Sequence, residues 1–318
     1  MKLRTAIFTA LLIPVITCSG AETDHFYVWQ QHWSAEVLAA VSREVSTTLY
    51  PVATVIPQDG TSRLTEIPWQ DPALKKHRLV PVIRIPLNAF RRADLMKELS
   101  RITAQILQDG SACSLTEIQF DLDCPERLLP EYEALIRNYR KRWPGLGLSI
   151  TALPCHLNNR NFGRLAEAVD AYVLQVHGLE VPETLNEPAV LLNLQVAERA
   201  IRKAEKLKRP YRIALPCYAY ELHFDPQSEE FLFLHAERSV RRTDTLRKRI
   251  AAEPKDLLKL LEETSSLPSC RGVVWFRLPV EGDRLCLPRA DLANIQRGEL
   301  PAGQVKCTPR RISDTTLE

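Results

Sequence analysis

EIQFDLDCPE, residues 117–126, is the segment of the sequence that says most about the fold. In a β-strand, successive side chains point to opposite faces. One face of this strand is polar and the other apolar: Gln119, Asp121 and Asp123 against Ile118, Phe120 and Leu122. Because burying carboxylates costs free energy unless they line a cavity or a site, we expect Asp121 and Asp123 to face a cavity that the rest of the chain builds.

Seven other apolar segments of strand length occur along the chain, and most are followed by a helical pattern. The segments are 26–30, 52–56, 79–85, 148–153, 169–177, 212–217 and 272–278. One predicted helix begins at the N-cap Ser34, and four others cover 91–108, 128–142, 194–208 and 257–267. Strands that alternate with helices pair in parallel through right-handed crossovers. Eight such units predict an α/β protein with a single-domain (β/α)8 TIM barrel. A doubly wound open sheet is the alternative, but no glycine-rich loop follows the first strand.

The N-terminal segment, residues 1–21, has the pattern of a secretory signal. It begins with Lys2 and Arg4, continues with an apolar run over 6–16 and ends in small residues at 19–21. The apolar run is well short of the roughly 20 residues that a bilayer requires. Residues 15–18 resemble a lipobox, so Cys18 is a candidate for lipid attachment, and both a lipid-anchored and a freely soluble protein remain open. We therefore expect an exported, periplasmic or envelope-associated protein with a barrel domain at 22–300 and a polar, disordered tail at 301–318.

Charge and composition exclude several classes of partner. The formal net charge of +3 falls to +1 once the signal, with its two basic residues and no acids, is removed, which argues against a nucleic-acid partner. With 11 glycines in the chain, we expect no loop that cradles a nucleotide, and no cofactor. No spacing of potential ligands requires a metal.

Seven cysteines remain after the signal. In an oxidising compartment some of them can pair, and the odd number leaves at least one cysteine free or available for an intermolecular bond.

Polar and aromatic residues follow the predicted strands at their carboxyl ends, where TIM barrels build their sites. The candidate substrate-binding residues are Gln30, Trp33, Arg84, His156, Gln175, His177, Tyr218, Trp275 and Arg277, and the candidate catalytic residues are Asp121, Asp123, Glu126 and Glu221. Aromatic rings stack on sugars, carboxylates handle protons and arginine binds acidic groups, so the set favours a glycan or polysaccharide as ligand. Alternation places Trp275 with Arg277 on one face of the eighth strand, and turns Trp29 away from Gln30, toward the helices.

Each of these residues has a structural interpretation beside the functional one. Two acids at i and i+2 repel, which raises the pKa of one of them, as a general acid requires. Alternatively, Arg84 or Arg277 neutralises Asp121 inside the barrel as a buried ion pair. The histidines are proton shuttles or ligands, or they satisfy neighbouring hydrogen bonds. Trp275 is a platform under a sugar, or it fills the barrel.

Three motifs carry a resemblance to known families. FDLDCPE (120–126), VDAYVLQVHGLE (169–180) and GVVWFRLPVEGD (272–283) together resemble the uncharacterised bacterial family called domain of unknown function 3142. The order of features is distantly similar to glycoside hydrolase family 18. That resemblance implies that Asp121 and Asp123 match the two aspartates of its acidic motif and that Trp275 matches its sugar-stacking tryptophan. The position of its catalytic glutamate is Pro125, and Glu126 is displaced by one residue.

Two functions are therefore expected. In the first, the protein is an exported glycoside-hydrolase-like enzyme with Asp123 or Glu126 as proton donor, Asp121 tuning it and Glu221 as partner across the mouth. In the second, it is a non-catalytic glycan-binding or envelope-interaction barrel that has lost the catalytic acid. The retained acidic pair favours the enzyme, whereas Pro125 favours the binding protein.

Overall fold

The structure is a computed structural model that describes residues 25–45, 47–236 and 243–301. The predicted signal, the candidate lipid site Cys18 and nearly all of the predicted tail lie outside the described residues. The export signal, the lipid anchor and the division into signal, barrel and tail therefore stay predictions. Within the described ranges, no helix is long and apolar enough to cross a membrane.

The described residues form thirteen strands, eight of which close into a ring. The strands are β1 (His25–Val28), β2 (Thr48–Val55), β3 (Arg78–Leu79), β4 (Val82–Arg84), β5 (Ser114–Leu115), β6 (Glu117–Asp121), β7 (Gly147–Ala152), β8 (Ala171–Gln175), β9 (Tyr211–Pro216), β10 (Ala219–Phe224), β11 (Phe231–His235), β12 (Leu246–Ala251) and β13 (Cys270–Phe276). The ring runs β1-β2-β4-β6-β7-β8-β9-β13 and returns to β1, and every pairing in it is parallel. The predicted (β/α)8 barrel is confirmed, and the open sheet is excluded by the closing pair β1–β2.

Helices surround the barrel, and the five predicted from periodicity are present with shifted ends. The helices are α1 (Ala35–Arg43), α2 (Pro72–Lys75), α3 (Leu87–Phe90), α4 (Leu95–Asp109), α5 (Leu129–Arg142), α6 (Arg160–Glu167), α7 (Leu194–Lys206), α8 (Pro254–Ser265) and α9 (Arg289–Gln296), with short 3-10 helices at Glu126–Leu128 and Pro154–Asn158. In α4, Leu95, Leu99, Ile102 and Ile106 form one buried stripe, which is why this segment folds as a helix against the sheet. The sequence analysis missed α6 and α9 and the one-turn helices α2 and α3.

Two apolar cores lie on the two sides of the barrel wall. The larger one lies between strands and helices and includes Ile118 and Phe120; Phe120 packs edge-to-face on Tyr139 of α5 at a centroid distance of 4.7 Å. The smaller one fills the barrel interior and includes Tyr27. There, the Tyr27 hydroxyl donates to the side-chain amide oxygen, Oε1, of Gln119 over 2.7 Å. The predicted alternation of β6 is therefore confirmed.

A three-stranded antiparallel sheet follows the seventh barrel strand, where the sequence analysis places no element. Its order is β11-β10-β12. One face buries Leu222, Phe224 and Ile250 against Leu191. The segment 219–251 therefore contributes to this inserted sheet and not to the barrel.

Candidate functional site

A single arginine binds Asp121 and Asp123, the two aspartates at the carboxyl end of β6. Arg84 ends β4, and its register partner on β6 is Asp121. One terminal nitrogen of Arg84 donates to Asp121, and the other donates to the Oδ2 atom of Asp123 over 2.7 Å. The Asp121 side chain is 1% exposed, whereas that of Asp123 is 48% exposed. Of the two arginines expected to neutralise Asp121, Arg84 is the one that binds it. We call Arg84, Asp121 and Asp123 the polar cluster.

Both carboxylate oxygens of Asp121 are occupied. Its Oδ2 atom accepts from Arg84, and its Oδ1 atom accepts from the Thr151 hydroxyl over 2.8 Å and from the Gln175 amide over 3.4 Å. Burial raises the pKa of the Asp121 carboxyl, and the positive charge of Arg84 opposes that rise. Because the side chain is buried and its oxygens are bonded, Asp121 holds Arg84 in place and presents no oxygen to a ligand.

Four rings line the other side of the barrel mouth. The ring centroid of Trp29 lies 5.0 Å from that of Phe276, which lies 5.6 Å from His177 and 5.4 Å from Tyr218. We call these four residues the aromatic wall. The Cζ atom of Arg84 lies 6.0 Å from the centroid of the Trp29 ring, so the wall and the polar cluster meet at this contact. Trp29, Phe276 and His177 are half-buried, and Tyr218 is buried.

His177 contributes an uncharged imidazole to the wall. Burial lowers its pKa to about 4, and the nearby Asp123 carboxylate opposes that shift. Its Nε2 atom is buried and has no hydrogen-bond partner within the described ranges. At neutral pH the ring is therefore neutral, which suits a wall that packs against an uncharged ligand.

The structure reverses two expectations about tryptophans. Trp29 faces the barrel interior, so the prediction that it points toward the helices is wrong. Trp275 is completely buried in the core between strands and helices, so the prediction that it forms a sugar platform is wrong, and Phe276 occupies the inner face instead. Both faces of a strand in a parallel barrel are buried, so an apolar strand such as β13 does not reveal its register.

Arg277 does not take part in the polar cluster. It is 2% exposed, and its guanidinium donates to the Asp283 carboxylate and, over 2.9 Å, to the carbonyl of Ala236. These contacts tie the end of β13 to the following loop and to the end of β11. The expected role of Arg277 as a substrate ligand is replaced by a structural one, because both of its terminal nitrogens are already bonded.

Three further substrate-binding candidates have structural partners. His156 is 1% exposed; its Nδ1 atom accepts from the Leu153 amide over 3.1 Å, so its Nε2–H donates to the Cys124 carbonyl over 2.6 Å. The structure therefore supports the interpretation in which His156 satisfies neighbouring hydrogen bonds. Gln30 donates to the Leu278 carbonyl over 3.3 Å, and Trp33 packs against the core between strands and helices.

The other two candidate acids lie on different elements, a 3-10 helix and the inserted sheet. Glu126 is exposed at the start of a 3-10 helix. Glu221 lies on β10, where His223 Nε2 is 3.3 Å and Arg247 Nη1 is 4.0 Å from its carboxylate. These two contacts lie within the inserted sheet, and the predicted partnership of Glu221 with Asp123 across the mouth stays a prediction.

The structure does not group potential metal ligands. Among the described residues, no three side chains of histidine, cysteine, aspartate or glutamate converge as a metal ion would need. The polar cluster contains two carboxylates, but Arg84 supplies the positive charge that they would otherwise take from a cation.

A family model described as "Domain of unknown function (DUF3142)" matches residues 76–281. The chain belongs to this family. The matched range begins just before β3 and ends after β13, so the DUF3142 match contains Arg84, both aspartates and most of the aromatic wall. No curated protein sequence matches this DUF3142 chain.

Solved structures similar to this DUF3142 protein are glycoside-hydrolase-like barrels. The spore cortex-lytic enzyme SleL of Bacillus megaterium QM B1551 superposes with a TM-score of 0.60 at 10% identity, covering 92% of this chain and 76% of SleL. A chitinase from Chromobacterium violaceum ATCC 12472 gives 0.59 at 12% identity, covering 87% and 99%. The group IV chitinase of Ostrinia furnacalis, in complex with allosamidin, gives 0.51 at 11% identity, covering 80% and 91%. The expected likeness to chitinase-like barrels is confirmed as a likeness of fold.

Proposed function

We propose that this protein is an exported barrel that binds a glycan at its mouth and does not cleave it. The observation that carries the proposal is the bridge from Arg84 to both Asp121 and Asp123. Glycosidases that use a carboxylate pair place one protonated and one ionised carboxyl on either side of the scissile bond. Here one guanidinium binds both carboxylates, which come from the same strand segment. Pro125 stands where the resemblance to family 18 expects the catalytic glutamate.

The aromatic wall supports a carbohydrate as the ligand. Sugar rings combine an apolar face with a rim of hydroxyls, and binding sites of this kind pair aromatic side chains with a few placed polar groups. Trp29 and Phe276 supply half-exposed ring surface, while Asp123, Arg84 and Gln175 supply acceptors and donors beside it. The shared fold with chitinases is in keeping with this class of ligand.

Export is supported by the sequence of residues 1–21 alone. Its basic start, short apolar run and small residues follow the secretory pattern. Such a protein would meet the polysaccharides of the cell envelope, and a lipid on Cys18 would hold it there. N-terminal sequencing of the protein from the envelope fraction tests both parts of this proposal.

Hydrolysis is the second candidate, and the exposure of Asp123 favours it. The Asp123 carboxylate is 48% exposed at the mouth, so a substrate can reach it. To act as proton donor it would have to leave Arg84, and a second carboxylate would have to lie about 5 to 9.5 Å away across the bond. Asp121 is enclosed, and the Glu221 carboxylate lies against His223 and Arg247. Glu126, which is exposed three residues after Asp123, is the remaining candidate for that second carboxylate.

The test is calorimetric titration of the purified protein with chitin oligosaccharides and soluble envelope polysaccharides. Trp29→Ala removes the largest ring of the aromatic wall, and we expect it to lower the affinity of the wild-type ligand by roughly 30-fold, about 2 kcal/mol. Trp275→Phe is the matched control, because it changes a tryptophan that faces the helices; its affinity should equal that of the wild type. Equal loss in both variants, or no loss in Trp29→Ala, would contradict a site at the wall.

A further inference from the structure

Two buried thiols meet beside the barrel mouth. Cys217 follows β9 and Cys286 precedes α9, and they are 1% and 5% exposed. The Sγ atom of Cys217 donates to the carbonyl oxygen of Arg277 over 2.9 Å, and that of Cys286 lies 3.8 Å from the same oxygen. Two sulfurs that approach one carbonyl oxygen point toward the same spot, although 69 residues separate them in sequence.

The backbone holds these residues at a spacing that suits a disulfide. Tyr218 and Cys286 form an antiparallel bridge, and the flanking bonds from Ala219 to Leu285 and from Leu287 to Cys217 are 2.6 and 2.7 Å long. Directly opposed Cα atoms lie about 4.5 to 5.5 Å apart, and neighbours along the chain about 3.8 Å. The Cα atoms of Cys217 and Cys286 are therefore roughly 6 Å apart, within the usual range for a disulfide.

The surroundings of Cys217 keep its thiol protonated in the folded protein. Burial, followed by the side-chain hydrogen bond between Cys217 and Cys286, raises the pKa of the Cys217 thiol. A buried thiol of raised pKa forms little thiolate, and the thiolate is the reactive species. Once the barrel has closed around it, Cys217 is therefore slow to react, which places its oxidation before or during folding.

We propose that Cys217 and Cys286 form a disulfide when the chain folds in an oxidising compartment. The oxidant is a small-molecule disulfide such as oxidised glutathione. One cysteine thiolate attacks it and releases one glutathione thiol, and the second cysteine then displaces the other glutathione thiol as the intramolecular S–S bond forms. The two cysteines lose two electrons and two protons, and the glutathione disulfide gains them.

The bond would fix one edge of the aromatic wall. Tyr218, which follows Cys217 and pairs with Cys286, contacts Phe276 and His177. The same carbonyl that both thiols approach belongs to Arg277, whose guanidinium is tied to Asp283. A disulfide here would join the loops after β9 and β13, so that the wall keeps its shape without relying on hydrogen bonds alone.

Cys155 provides an internal contrast. It follows Ala-Leu-Pro at the end of β7, as Cys217 follows Ala-Leu-Pro at the end of β9. Cys155 is exposed, whereas Cys217 is buried. The repeated motif thus places one cysteine on the surface and the other against a second thiol, and only the latter is expected to pair.

The experiment is refolding of the reduced chain in a glutathione redox buffer, followed by alkylation under denaturing conditions and peptide mapping by mass spectrometry. We expect one cross-linked peptide pair containing Cys217 and Cys286, lighter by two hydrogens than the sum of the reduced peptides, while Cys155 is alkylated. The oxidised protein should melt roughly 5 to 10 °C above the reduced protein. Cys155→Ser should keep this difference, and Cys217→Ser and Cys286→Ser should abolish it.

Full alkylation of Cys217 and Cys286 in the refolded protein, or pairing of either with a different cysteine, would overturn the proposal. Peptide mapping of the wild type decides the matter by itself if the serine variants fail to fold. No glycan enters the experiment, so its outcome is independent of the proposed function.

Discussion

The two sides of the barrel mouth differ in how fully their side chains are already occupied by contacts within the protein. In the polar cluster, Arg84 binds both carboxylates, and Asp121 accepts from Thr151 and Gln175 as well. In the aromatic wall, the rings of Trp29 and Phe276 are half-buried and His177 keeps an unbonded nitrogen among the described contacts. The charged side thus stabilises the barrel, and the apolar side has surface left for a ligand.

The largest effect that tests this difference is expected from Arg84→Met. Removal of the guanidinium leaves the Asp121 carboxylate buried without a counter-charge, which typically costs about 3 to 5 kcal/mol. The free energy of unfolding, measured by urea titration at neutral pH, should fall by that amount. The double variant Arg84→Met with Asp121→Asn should recover much of the loss, because the buried charge is gone. A single variant as stable as the wild type would show that the polar cluster does not stabilise the barrel.

An intermediate effect is expected from acidification, through His177 in the aromatic wall. Its pKa is lowered from 6.5 in the unfolded chain to about 4 in the folded protein, so the unfolded state binds the proton more tightly. Stability should therefore fall as the pH drops from 6.5 to 4, by about 2 kcal/mol for this ring. His177→Phe should make the loss smaller.

The acid-induced loss should not vanish in that variant. His25, in the barrel wall away from the mouth, has a pKa lowered to about 3 by burial and by the charges of Arg212 and Arg78, and it acts in the same direction. Melting temperatures recorded at several pH values for the wild type and His177→Phe provide the comparison. Superimposable pH profiles would contradict the assignment of a lowered pKa to His177.

The smallest effect on stability is expected from Asp123→Asn. Asp123 is half-exposed, and an exposed ion pair contributes about 0 to 1 kcal/mol. Urea titration should therefore give a loss below about 1 kcal/mol, much less than for Arg84→Met. A loss as large as that of Arg84→Met would mean that Asp123, and not Asp121, is the buried partner that the arginine has to neutralise.

The sequence predicts the register of a barrel strand where polar residues mark its inner face. On β6, Gln119 and Asp121 identify the interior, and the prediction is confirmed. On β1 and β13 the prediction relied on Gln30 and Arg277, which lie beyond the last strand residues, Val28 and Phe276. The orientations of Trp29 and Trp275 were therefore assigned the wrong way round. Because both faces of these strands are buried, only the three-dimensional pairing of strands determines which ring enters the mouth.

The sequence also leaves the partners of each arginine open. Arg84 and Arg277 both end a barrel strand, and either could neutralise Asp121. Arg84 does so because β4 and β6 are neighbours in register, whereas Arg277 meets Asp283 in the loop that follows it. The inserted sheet, which contains Glu221, interrupts the strand–helix alternation on which the sequence analysis depends, and it was therefore missed.

The most direct test of the central claim is a measurement of new reducing ends. The wild-type protein is incubated with a glycan that it binds in the calorimeter, with Asp123→Asn in parallel, and reducing ends are followed over many equivalents of glycan. We expect binding without any increase in reducing ends in either sample, because Arg84 binds both aspartates. Steady release by the wild type that Asp123→Asn abolishes would contradict the account and make this barrel a glycoside hydrolase.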